Sequence, residues 1–446
     1  MIKTLALFGV LLLGAVAFSA NSAIANPEAM TYHVDPSGSD SSGDGSSANP
    51  WQTIQHAADQ VQPGDSVLIN PGTYVGGIVV ETGGTADAPI TFRANGGDAI
   101  IEDSGDERDA FFIDGADYIV VEGLTIQHAE RAGMRISWSH HVTVRDSTFA
   151  DNGRWGIFTD FSDHTLIEDS QSYGAGLEHG IYISNSSDYP TIRRNILHHN
   201  HGCGLHMNGD ISMGGDGIIS YGLVEGNIIY ENGYGGGSGI NMDGVTDTIV
   251  RNNLLYENHA SGISIYRIDG GSGSQNNRIL NNTILMASDG RWGINIPDSE
   301  DTDNRLFNNI VYNAHSWRGS ISIATPTLEG FASDYNILMD RFSVDDGNSR
   351  ISFSEWQALG YDSHSMLSSP DQLFLNPDLD DYRLGEGSPA IDRGVALDEV
   401  TDDLLGVHRP SGTAYDVGAY EFTDGTQPPP LPNRFYLPGV FIRLDR

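Results

Sequence analysis

One phrase recurs along the middle of this chain and limits what it can fold into: a glycine, an apolar residue, a variable residue, then a second apolar one. It reads GMRI at 133, GIFT at 156, GIYI at 180, GLHM at 204, GINM at 239, GISI at 262 and GINI at 293, at intervals of 23, 24, 24, 35, 23 and 31 residues. A second column follows, in which a small polar residue precedes an apolar pair: Ser147, Ser170, Asn195, Asn227, Asn253, Asn282, Asn309 and Asn336. Short alternating strands, Gly/Asn-rich corners and a period near 23 predict an all-β, parallel β-solenoid with three short strands per coil. A leucine-rich horseshoe needs a different leucine spacing, and a propeller a period near 40.

The repeat fixes direction. Alternate side chains of a strand point to opposite faces, so the two apolar positions of each phrase face the interior and the variable one faces outward. The outward column then reads Arg135, Phe158, Tyr182, His206, Asn241, Ser264 and Asn295. Two residues later a second column reads Ser137, Asp160, Ser184, Asn208, Asp243, Tyr266 and Pro297. With coils about 4.8 Å apart, these residues form the floor of a groove suited to a sugar chain. Insertions at 209–222 and after Tyr266 (YRIDGGSGSQNN) leave from the same strand. The stretch RRNILHHNHGCGLHMNGD (193–210) holds four histidines, yet only His206 falls in the outward column. His198, His199 and His201 are expected to be solvated or structural, and their spacing matches no familiar zinc pattern. Trp155 and Trp292 precede glycine in the same words, GRWGI, and either stack on sugar or fill a corner.

The phrase and its asparagine column resemble those of the right-handed parallel β-helix superfamily of pectate lyases and related polysaccharide enzymes, over residues 65–345. Residues 26–64 look like the amino-terminal lead-in of secreted β-helix proteins, with a helix from Trp51 to Val61 covering the first coil. Residues 346–422, including SFSEWQALG and SPAIDRG, resemble their closing segment and are expected to cap the carboxyl end. Residues 1–25 read as a secretory signal: Lys3, an apolar run, then Ala23-Ile24-Ala25. Residues 423–446 read as a Pro-rich linker and tail. The expected location is extracellular or periplasmic, with the tail available for surface attachment.

Sixty acidic against 23 basic residues give a formal charge of −37, which excludes nucleic acid and anionic membranes as natural partners. No apolar run after the signal is long enough to span a bilayer, and a monomer acting on a polysaccharide is expected. Cys203 is the only cysteine, so no intrachain disulfide forms, and a buried structural thiol is expected. Lys3 is the only lysine. An acidic groove repels a uronate chain unless a cation bridges the two, so Ca²⁺ held by Asp160, Asp243, Asp210 and Asp216 is a candidate cofactor.

What the resemblance implies is a lyase that cleaves a uronate polymer by β-elimination. Such chemistry needs a base for the C5 proton, an acid for the departing oxygen and a group that stabilises the enolate-like intermediate. A lysine base is excluded by composition. The candidate catalytic residues are His206 as base, Tyr182 on the adjacent rung, Arg135 and Asp160. Candidate substrate contacts are His179, Asn208, Asn241, Asp243, Tyr266, Arg267 and Trp155. EHGIYIS (178–184) also looks like the H-G-I strand of mannuronan C5-epimerases, but FTDFSDH (158–164) stands where their D-P-H motif would be. A glycoside hydrolase needs two carboxyls about 5 to 9.5 Å apart. Asp160 and Asp243 lie three coils apart, so hydrolysis would have to recruit Glu178, Asp210 or Asp216. A non-catalytic glycan-binding or cell-surface protein is the remaining alternative.

Overall fold

The computed structural model describes residues 29–328 and 330–423. The signal-like residues 1–25 and all but the first residue of the tail lie outside the described residues. Three parallel sheets of 12, 11 and 12 strands run the length of the molecule. Each strand pairs with the strand three positions later in sequence over most of their length, which is the signature of a coil with three strands per turn. Among the described residues, no helix is long and apolar enough to cross a membrane.

The glycine phrases form the 11-stranded sheet in the register that the repeat dictates. Arg135 pairs with Phe158, Phe158 with Tyr182, Tyr182 with His206, His206 with Asn241, Asn241 with Ser264, and Ser264 with Asn295. The flanking apolar residues, such as Ile181 and Ile183, Leu205 and Met207, and Ile240 and Met242, are buried in one continuous core. A slip of one residue would exchange core and surface on every coil, so burial itself fixes the register.

The corner after the first strand of each coil turns on one residue in the left-handed region. Asp146, Asp169, Arg194, Asn252, Asn281, Asn308 and Tyr335 hold φ between 49° and 58°. For residues other than glycine this costs roughly 1 kcal/mol each. The following residue offsets it. The backbone N–H of Asn195 donates to Asn227 Oδ1, Asn227 to Asn253, Asn253 to Asn282, Asn282 to Asn309 and Asn309 to Asn336, at 2.8–3.0 Å. Each side-chain amide also donates to a carbonyl on the coil behind, as Asn282 does to Val250 at 2.9 Å. Ser147 and Ser170 play the same part in earlier coils. A second ladder, Asn200–Asn232–Asn258, closes another corner.

The two ends differ from their sequence expectations in detail. The amino-terminal helix spans only Ile54–Ala58, with Thr53 as N-cap, while Trp51 stacks on Tyr32 at 4.6 Å. At the other end Phe353–Ala358 forms a helix with a capping box between Ser352 and Glu355. Its Trp356 is fully buried, lies flat on Phe342 and closes the core. The remainder of the closing segment does not cap that end. It lies along the flank of a 12-stranded sheet, where Leu373, Phe374, Tyr382 and Leu384 pack on Leu254, Leu285, Ile310 and Ile337. Those four sheet residues point outward and apolar, so the flank needs a cover. Arg409, fully buried with Glu421 at 2.8 Å, pins this cover to Asn252.

Asn282→Ala removes an acceptor and a donor from a dry ladder, and is expected to cost about 3 kcal/mol. Urea unfolding should show a lower midpoint with an unchanged slope. Stability within about 0.5 kcal/mol of wild type would show that the ladder does not hold the coils together.

Candidate functional site

The outward column brings rings together on adjacent rungs. Tyr182 stacks on His206 at 4.8 Å with 13° between planes, and Phe158 meets Tyr182 edge-on at 5.3 Å. His179, from the corner before the Ile181–Ser184 strand, stands perpendicular to His206 at 4.5 Å. Cys203 is buried behind both imidazoles.

Hydrogen bonding assigns the protons in this cluster. The Cys203 backbone N–H donates to His179 Nδ1 at 3.0 Å, so that nitrogen carries a lone pair. A neutral imidazole then bears its proton on Nε2. His179 Nε2–H therefore donates to His206 Nδ1, 2.9 Å away. His206 in turn holds its proton on Nε2, which is buried with no hydrogen-bond partner. Both rings are neutral: desolvation lowers His179 well below 6.5, ahead of repulsion from His206 and Arg154, and lowers His206 to about 3. His206 thus presents a donor, and its assignment as the base is corrected on this geometry. Accepting a proton on Nε2 would require the opposite tautomer, which puts a second N–H against that of Cys203.

The same argument bears on metal binding. The ligand atoms of His179, Cys203 and His206 lie within 4.8 Å of one another, the one such group of three among the described residues. His179 could ligate through Nε2 only by moving its proton to Nδ1, against the Cys203 N–H. Burial also raises the Cys203 thiol to about 12, so the neutral thiol is favoured. The donor set does not fit a metal ion in this arrangement. The histidine-rich stretch 193–210 is therefore scaffold and site at once. His198 sits on a different sheet from His206, between Tyr173 and Tyr230, with His199 against it and His201 exposed.

Several candidates are occupied by structural work. Arg135 is paired with Asp160 at 2.9 Å, and Arg135 lies three rungs from His206, about 14 Å. Asp243 accepts three backbone N–H groups, from Ile268, Asp269 and Gly270, and so shapes the insertion. Asp210 caps a short 3₁₀ turn through Ser212, and Asp216 accepts the N–H of Ile218. The four carboxylates considered for Ca²⁺ are thus separately committed and not gathered into one site. Trp155 is buried, with Nε1 on Glu178 at 2.6 Å, and fills a corner. Glu178 is further held by Arg154. Arg267 pairs with Glu300. His179 has both nitrogens in use and positions His206; it is not a substrate contact.

Two features escaped the strand pattern. Asp269, exposed in the insertion after Tyr266, brings Oδ2 to 3.5 Å from Asn208 Nδ2, and that amide donates to the Tyr182 hydroxyl at 3.0 Å. A carboxylate and a phenol therefore flank one amide beside His206. Burial, the largest cause, pushes Tyr182 up to about 12, so it stays a neutral donor. The second feature is a cleft of about 520 Å³ that starts one rung beyond His206. Asn241, Ser264, Tyr266 and Asn295 floor it, and Trp292, Arg291 and Arg318 stand at its side.

Residues 32–176 match the family described as Pel9A-like, right handed beta helix region. The scaffold is a right-handed parallel β-helix. Its solved neighbours include pectate lyase Pel9A, at 18% identity and TM-score 0.65, covering 88% of this chain and 96% of that one. XylC in complex with xylose matches at 12% identity and TM-score 0.56, covering 88% and 98%. The alginate lyase of Paenibacillus sp. str. FPU-7 matches at 19% identity and TM-score 0.51, covering 65% and 97%. At these identities the likeness is one of fold. The uncharacterized protein YwoF of Bacillus subtilis (strain 168) is 26% identical over 46% of this chain, and the chain spans about half the length of that relative.

Buried neutral histidines are expected to make this β-helix sensitive to acid. His198 is lowered to about 3, by desolvation first and then by His199, and His206 to about 3 by desolvation. For a depressed imidazole, the stability contribution is complete above the unfolded value near 6.5 and is lost as pH falls from there toward 3. The melting temperature should therefore fall across that window, and His198→Gln should flatten the fall. An unchanged pH slope in that variant would exclude His198 from the effect.

Proposed function

We propose that the protein is an exported, monomeric, polysaccharide-active β-helix enzyme that cleaves a uronate-containing polymer by β-elimination on the sheet carrying His206. The observation that carries this reading is the unpartnered, buried Nε2–H of a neutral His206, stacked on Tyr182 one rung from the first residue of a cleft. A site that holds two neutral donors on adjacent rungs is prepared for negative charge that develops during reaction. The related folds include a pectate lyase and an alginate lyase, which supports the substrate class.

In this mechanism the Asp269 carboxylate takes the C5 proton of the uronate. The electron pair of the C–H bond becomes the C4=C5 double bond through an enolate-like state, whose charge on the sugar carboxyl is held by His206 Nε2–H after a small shift of the ring opens this buried group to the groove. The C4–O bond breaks, and the Tyr182 hydroxyl protonates the departing oxygen. Solvent then restores the phenol, and the proton on Asp269 is released. Asp269 and Tyr182 lie on the same side of the sheet, with the Asn208 amide between them, so base and acid act from one face. His179 holds the His206 tautomer, and the Cys203 N–H holds that of His179.

The test is digestion of pectate, alginate, glycosaminoglycans and neutral glycans, following unsaturated-uronate absorbance and reducing ends. Absorbance should rise with an acidic polymer. Asp269→Asn and Tyr182→Phe should each lower turnover by two to four orders of magnitude, roughly the range for loss of an acid or base. His206→Ala should lower it by roughly two to three orders, the scale for loss of one charge-stabilising donor. The pH–rate profile should lack a limb near 6.5, because His206 does not titrate there. Reducing ends without unsaturation would replace elimination by hydrolysis, and glycan binding with neither signal would make the protein a binding module.

A further inference from the structure

Arginine in this chain normally has a carboxylate one coil away. Arg108, Arg131, Arg135, Arg145, Arg154, Arg193 and Arg251 each bond a Glu or Asp 22 to 26 residues distant. Arg93, Arg305 and Arg393 break this habit elsewhere, and four arginines break it together. Among the described residues, Arg291, Arg318, Arg341 and Arg350 form no ion pair with a carboxylate. Arg318 donates to the Gly290 carbonyl at 3.2 Å, Arg341 to that of His315, and Arg350 to that of Trp317 at 3.2 Å while lying over its ring. The Arg341 guanidinium is held below its usual value, by desolvation first and then by repulsion from Arg350. A protein with formal charge −37 therefore keeps unneutralised positive charge at one end of its groove.

Arg291 and Arg318 enter the cleft wall, where Arg291 is exposed and its side chain makes no hydrogen bond among the described residues. The floor beneath them offers neutral hydrogen-bonding groups: Asn295, Ser264 and the Asn241–Tyr266 pair, joined at 2.6 Å. Trp292, buried to the same degree as Trp155, backs the cleft. One acid, Asp346, also lines the cleft, against two guanidinium groups. We infer that this cleft is a subsite for an acidic sugar, whose carboxylate is held by Arg291 and Arg318 while its hydroxyls meet the Asn/Ser floor. Guanidinium pairs carboxylate in a fixed fork, so the contact is selective for anionic sugars over neutral ones. The subsite lies one to three rungs from His206, about 5 to 14 Å along the axis. Arginine also does here what a bridging cation would otherwise do, so binding is independent of calcium.

This inference rests on the sheet being the polysaccharide face, as proposed above, but it is tested by binding and not by turnover. Short oligogalacturonate and oligomannuronate are titrated calorimetrically into the intact protein with EDTA present, alongside neutral oligosaccharides. Acidic oligomers should bind, more weakly as salt rises, and neutral ones should bind at least about tenfold less well. Arg291→Gln and Arg318→Gln should each weaken acidic binding about tenfold, the double variant more, with melting temperatures unchanged. Arg→Lys variants keep the charge without the fork and should fall between. Equal binding of acidic and neutral oligomers, full affinity in the double Gln variant, or affinity only with added calcium would overturn the inference. If no uronate polymer is cleaved yet the arginine effect holds, elimination fails and the subsite stands.

Discussion

The hydrogen bond from one coil to the next is the interaction on which the rest depends. Parallel pairing sets each outward residue directly above its counterpart, and the serine and asparagine ladders keep that pairing in step at corners that would otherwise be strained. Only because Tyr182 and His206 are held on neighbouring rungs can their rings stack, and only because the corners align can His179 reach His206. The chemistry is built from coil geometry, with strands supplying the floor and insertions supplying the walls.

Electrostatics divides the face into two zones. Around His206 the groups are neutral by desolvation: two imidazoles, a phenol and a thiol, all shifted away from their charged forms. Farther along, unpaired guanidinium groups gather at the cleft. The first zone is suited to charge that appears during reaction, the second to charge the ligand brings with it. A strongly acidic surface elsewhere leaves an anionic polymer little reason to settle outside this strip.

Direction was legible in the sequence because period-two burial is a local rule: the placement of Arg135, Tyr182, His206 and Asn241 in one column needed only the G-I-x-I phrase. The asparagine column was legible for the same reason. Convergence between columns was not. His179 meets His206 through a corner, across an interval of 27 residues that no strand pattern specifies. Asp269 reaches Asn208 because the insertion folds back to give three N–H groups to Asp243, a long-range choice. The arginine cleft did leave a trace: Arg291, Arg318 and Arg341 lack the acidic partner one coil away that Arg131, Arg154 and Arg251 have. The flank cover was hidden too, since it depends on Leu254, Leu285, Ile310 and Ile337 facing outward from strands whose other face is equally apolar.

The unbroken pairing from Tyr182 through His206, Asn241 and Ser264 to Asn295 makes the separation between the histidine cluster and the arginine cleft a whole number of rungs. Gain or loss of a single coil would move the two apart or together by one fixed step, and by nothing in between. On such a scaffold the spacing of two sites along the groove is a discrete quantity, reset by duplication of a repeat and left untouched by point changes in the strands.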